Sequence, residues 1–82
     1  MPHYYFNTVD GHADMDSVGK DLPDDSAARD FAISYAGSIL KDQPEIAAAS
    51  KGFRVNVVDE TDRAVLTVLT RVIEGVQDAG TA

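Results

Sequence analysis

Cysteine and tryptophan are missing from this 82-residue chain, and only seven lysines and arginines stand against fourteen aspartates and glutamates. Without cysteine there is no disulfide and no thiolate metal site. That suits a reducing compartment, and a cytoplasmic location is expected. No apolar run approaches the ~20 residues of a membrane-spanning helix. The opening MPHYYF has no basic stretch followed by an apolar one, so neither a signal peptide nor a membrane partner is expected. Scarce cations weigh against nucleic acid as well. Binding a phosphate backbone draws on clustered Lys and Arg that release counterions. Here Asp10, Asp14, Asp16, Asp21, Asp24, Asp25 and Asp30 are opposed within residues 10–30 only by Lys20 and Arg29, a net −5.

What remains is the composition of a soluble globular protein, 44% hydrophobic and 26% charged. One domain is expected over residues 1–77, with a frayed tail at 78–82. Residues 22–42 hold the long helical pattern. Ala28, Phe31, Ala32, Tyr35, Ala36 and Ile39 fall on one stripe, with Asp30, Ser34 and Lys41 opposite. Asp24 is the expected N-cap, Asp25 and Lys41 suit the two ends of the helix dipole, and Pro44 stops continuation. Ile33 and Leu40 lie on the flank of the stripe near Gly37, widening the apolar arc.

The other segments read as strands. His3 to Val9 is dense in aromatic and β-branched residues, and Asp10-Gly11 after it signals a two-residue hairpin. With Val9 opposite His12, one face collects Tyr4, Phe6, Thr8, Ala13 and Met15, and the other His3, Tyr5, Asn7, His12, Asp14 and Asp16. Residues 17–22 form a turn or short extended link into the helix, and residues 43–52 suggest a short helical turn. Phe53, Val55 and Val57 alternate inward against Arg54 and Asn56. A polar turn over Asp59–Arg63 then leads into the β-prone Ala64–Thr70, a second hairpin. This last strand is apolar on both faces, which predicts a central or covered position. Residues 71–77 extend it or turn. The expected fold is α+β, an antiparallel sheet of about four strands in ββαββ order with one long amphipathic helix on one face.

MPHYYFNTVDG, DLPD with AAR following, GFRVNVVDE and VLTV together resemble a family of small alphaproteobacterial proteins grouped as a domain of unknown function, which open Met-Pro-x-Tyr-aromatic-Phe. The resemblance covers most of residues 1–69. It implies a small ββαββ-like domain and carries no activity. The chain departs from it after Val68, where Leu69-Thr70 replaces a Pro-Phe pair. A weaker similarity, in the order of elements alone, is to HicB-type antitoxins; no helix-turn-helix follows here.

Chemistry is sparse. Asp10, His12, Asp14 and Asp16 are spaced by two, but a strand spreads neighbours at i and i+2 along ~7 Å and points them in parallel, which does not build a cation site. No serine or cysteine calls for His3 or His12 as a base. Tyr4, Tyr5, Phe6 and Tyr35 read as core packing more than as a stacking platform. Gly11, Gly19, Gly37 and Gly52 form no phosphate loop; they read as turns and one helix contact. No catalytic residue, metal or cofactor is expected, and the chain reads as a non-enzymatic protein-protein interaction module. Its partner is a second copy or another protein. Two surfaces are candidates. One is an apolar patch of Ile33, Gly37, Leu40, Val65 and Leu69, unless Ile46, Val72, Ile73 and Val76 cover it. The other is a polar sheet face of His3, Tyr5, Asn7, Asp14, Asp16, Arg54 and Asn56. An antitoxin-like inhibitor that meets a basic partner with residues 10–30 is the alternative, and a weak metal-binding protein a more distant one.

Overall fold

The computed structural model describes residues 1–48, 52–73 and 75. Expectations for residues 49–51, for Val76 and for the tail at 78–82 fall outside them. The elements are β1 (His3–Val9), β2 (Ala13–Asp14), β3 (Lys20–Asp21), α1 (Asp25–Asp42), α2 (Pro44–Ala48), β4 (Phe53–Asp59) and β5 (Ala64–Thr70). All strands join one antiparallel sheet in the order β2-β1-β4-β5, and β3 pairs with β1 on the same edge as β2. The fold is therefore α+β as expected, with five strands because two short ones share the outer edge of β1.

Local chemistry sets the ends of α1. Asp24 is the N-cap, its carboxylate accepting from the Ala27 N–H, and Asp25 stands in the first turn. Lys41 lies in the last turn, and the Gln43 N–H donates back to the Ile39 carbonyl before Pro44 opens α2. Ala28, Ala32 and Ala36 are the buried residues of α1. Phe31 and Ile39 pack against the core beside them. Tyr4, Phe6, Phe53, Val55 and Val57 then fill the core from below. Burying side chains of this size contributes roughly 1.5–3 kcal/mol each. Tyr35, on the same stripe, stays 37% exposed at its edge.

Three expectations are corrected. First, Val9 pairs with Ala13 and Thr8 with Asp14, one residue out of the expected register. The loop holds three residues because the Asp10 N–H donates to the His12 carbonyl and Gly11 takes φ +109°. The slip removes Ala13 and Met15 from the core face, and both are exposed. Second, β5 is neither central nor covered. Among the described residues it is the free edge of the sheet, with Leu66 and Val68 packed on the core, Leu69 exposed, and an irregularity opposite Val57 and Val58. Third, Gly37 makes no helix contact, since the space beside it is open.

Candidate interaction surfaces

The polar sheet-face residues do not form one site. Asn7 is buried, because the loop after β2 folds over it and the Asp16 N–H donates to its Oδ1 at 2.8 Å. The Asp16 carboxylate accepts from the N–H groups of Phe6, Val18 and Gly19 at 3.0–3.1 Å. Burial pushes its pKa up, but these three donors outweigh that and hold it below the usual carboxylate value. Phe6 lies between the β1–β2 and β1–β3 pairings, so Asp16 supplies an acceptor where a strand residue would otherwise stand.

His3 is committed as well. Its Nδ1 lies 2.5 Å from Asp21 Oδ1 and its Nε2 2.8 Å from the Val18 carbonyl oxygen. Two acceptors on one imidazole favour the doubly protonated ring. The Asp21 bond chiefly, then the Val18 carbonyl, raises its pKa. Gly19 closes this loop at φ +71°; a Cβ there would stand 2.6 Å from the Tyr4 carbonyl and against the His3 ring. Tyr5 meets the His3 ring edge-on at 5.0 Å. Asn56 accepts from the Thr67 hydroxyl, and Arg54 is exposed. Asp14 pairs with Thr8 and so falls on the helix side of the sheet.

Sequence reasoning missed a second network. In the β4–β5 turn the Asp59 carboxylate accepts from the Thr61 hydroxyl and N–H and from the Arg63 N–H and Nε. Arg63 Nη2 then reaches both Asp25 oxygens, and Asp25 also accepts from the Tyr4 hydroxyl at 2.8 Å. The turn, the start of α1 and the core strand are thereby tied together. The Thr61 hydroxyl chiefly, with Arg63, holds Asp59 far below the carboxylate range. Arg63 chiefly holds Asp25 down, and burial with the Asp25 bond pushes the Tyr4 phenol up to about 12. The Asp-x-Thr-x-Arg spacing is the visible signal, an Asx-type turn with a cation at its exit.

The apolar flank divides. Ile33 and Leu40 are 54% and 39% exposed. Phe31 leans on Phe6 of β1, ring centroids 4.7 Å apart. Ile33 and Leu40 stand roughly 180–200° round the helix from it, on the side toward β5. Val65 packs against the core. Leu69 is 67% exposed but lies opposite Arg54 on the face away from α1. Val72 and Ile73 are themselves exposed, and Ile46 packs on the core.

On the other side of α1 a cleft of about 540 Å³ opens between the helix and the β1–β2 hairpin. Phe6, Phe31 and Tyr35 supply aromatic surface, Ile39 and Ile46 add aliphatic surface, and Asp10, Asp14, Asp16 and Lys20 are the charged residues of the lining. The Lys20 ammonium lies 5.3 Å from the Phe31 ring centroid, within cation-π range. Among the described residues no three His, Asp or Glu side chains converge as a metal site would require, and no helix is long and apolar enough to cross a membrane.

No curated protein and no solved structure shows a significant match to the chain. A family model does, across residues 3–70 and hence nearly the whole sheet and both helices. The chain belongs to the family described as a domain of unknown function, DUF6894.

Proposed function

We propose that this chain is a non-enzymatic interaction module that self-associates through the free edge of β5. The edge itself carries the proposal. Seven consecutive residues, Ala64–Thr70, contain no charge and no proline, and among the described residues only β4 pairs with them. Natural edges are normally blunted by lysine, proline or shortness, because unpaired backbone donors and acceptors template a further strand. Here the one such device is the irregularity at the start of β5.

The strand is also self-complementary. In an antiparallel pair centred on Thr67, Leu66 of one copy meets Val68 of the other on the helix side. Ile33 and Leu40 flank the same edge and would be covered with it. The acidic residues of the β2 and β3 segment lie at the far edge of the sheet, so two copies of this −7 chain meet where like charge is sparse. Arg71 would face the Arg63 position, whose charge Asp25 and Asp59 already hold, beside Asp62.

Sedimentation across micromolar to submillimolar protein tests this. The wild type should sediment as a dimer at the upper end, and Thr67→Lys, which sets two ammonium groups across the axis, should sediment as a monomer. A wild type that stays monomeric throughout, or a Thr67→Lys dimer as tight as the wild type, would sink the proposal.

A further inference from the structure

We propose that the cleft between α1 and the β1–β2 hairpin receives a basic peptide segment of a partner protein. An apolar side chain lies over Phe6, Phe31 and Tyr35, and a neighbouring lysine or arginine reaches Asp10 and Asp14. The site lies on the opposite side of α1 from the flank facing β5, so the inference stands apart from self-association.

Size and lining come first. About 540 Å³ lies within the usual range for ligand sites, ~300–1,000 Å³. The lining joins three aromatic rings to ionised groups at its margin. This combination recognises side chains with an apolar body and a charged tip.

The commitments of the carboxylates give the sign of that charge. Five of the seven aspartates in residues 10–30 have structural work. Asp16 holds backbone N–H groups, Asp21 holds His3, Asp24 caps α1, Asp25 holds Arg63 and Asp30 pairs with Arg29. Asp14 makes no hydrogen bond among the described residues, and Asp10 accepts only the His12 N–H, at 3.4 Å. These two uncommitted carboxylates both line the cleft. Among the described residues that line the cleft, Lys20 is the one cation, and it rests on the Phe31 ring.

Lys20 also shows what the aromatic surface accepts, since a cation of the chain itself already lies on it. Asp14 pairs with Thr8, and Lys20 with Tyr4, so the anionic and cationic margins are four residues apart along β1, roughly 13 Å. A peptide of three to four extended residues spans that length, with its cation at the Asp10 and Asp14 end and apolar contact in the middle.

The test uses the full chain, ¹⁵N-labelled, titrated with a blocked Lys-Leu-Lys-Phe peptide, the matching Glu-Leu-Glu-Phe peptide, and spermidine. The lysine peptide should bind saturably and shift the amides of Phe6, Thr8, Phe31 and Tyr35. Asp10→Asn with Asp14→Asn should weaken it about tenfold, and the exposed Asp30→Asn should leave it unchanged. Tyr35→Ala should weaken it through lost apolar contact, an arm that does not touch the hairpin loop. No saturation at millimolar peptide, equal binding of the glutamate peptide, or an unchanged affinity in the double variant would overturn the proposal. Spermidine binding as tightly as the peptide would overturn it too, by assigning the cleft to small cations.

Discussion

Arg63 in the β4–β5 turn holds Asp25 at the start of α1 through both carboxylate oxygens, at 2.9 and 3.1 Å, across 38 residues of chain. One guanidinium nitrogen forks between both Asp25 oxygens while Nε holds Asp59, so Arg63 bridges two carboxylates. It joins the last hairpin to the helix independently of the apolar core. Arg63→Gln should therefore lower the urea midpoint more than Arg29→Gln, whose partner Asp30 is its exposed neighbour on the same helix. Equal midpoints would show that the fork adds nothing to stability.

The same network predicts an acid limb. Asp25 and Asp59 have folded pKa values below the ordinary 3.8. Their contribution is complete above that value and is lost as pH falls through the lower folded values. Stability should decline from about pH 4 downward, and Arg63→Gln should flatten the decline. Urea titrations at stepped acid pH read it directly.

His3 acts in the opposite direction. Its folded pKa lies above 6.5, so the clamp on Asp21 and Val18 is fully present below 6.5 and weakens as pH rises through the folded value. Stability should fall as pH rises above 6.5, and His3→Gln should remove that slope. A wild type with a flat profile from pH 6 to about 9 would contradict the clamp.

Close packing of α1 sets the tolerance of its alanines. Ala32 is fully buried, and Ala32→Leu should cost about 1–3 kcal/mol through overpacking. Phe53→Ala, which empties the opposite side of the core, should cost roughly 3–5 kcal/mol. Thermal or urea unfolding of both variants provides the comparison.

Gly19→Ala should destabilise by about 1 kcal/mol or more, because φ is +71° and the Tyr4 carbonyl stands in the way. Gly11→Ala meets open space despite its own positive φ and should cost less. The ratio of the two separates the close approach from backbone strain alone.

The sequence made some of this legible and hid the rest for physical reasons. Asp24, Lys41 and Pro44 mark α1 because caps and dipoles act locally. The Phe53, Val55, Val57 alternation marks an inward face because β4 lies inside the sheet. The β1–β2 register was out of reach, since one Asp10 N–H bonded to the His12 carbonyl lengthens the loop and slips every pairing after it. Position within the sheet was hidden too, as Ala64–Thr70 has the composition of a central strand at a free edge. Of the candidate surfaces, whether Ile33 and Leu40 are covered depends on residues distant in the chain, which helical periodicity does not place, and periodicity likewise does not show which face Leu69 turns toward a helix.

Asp16 carries a consequence for how far any assembly can run. It occupies the middle of the outer side of β1, and two-residue strands cover that side on either hand. The sheet therefore presents one long edge able to accept a strand and one that is sealed. In a pair joined at β5 both outward ends are sealed, so addition terminates at two copies. A sheet with two open edges would polymerise into a fibre; under the proposed pairing the carboxylate of a single loop residue would help hold the count finite.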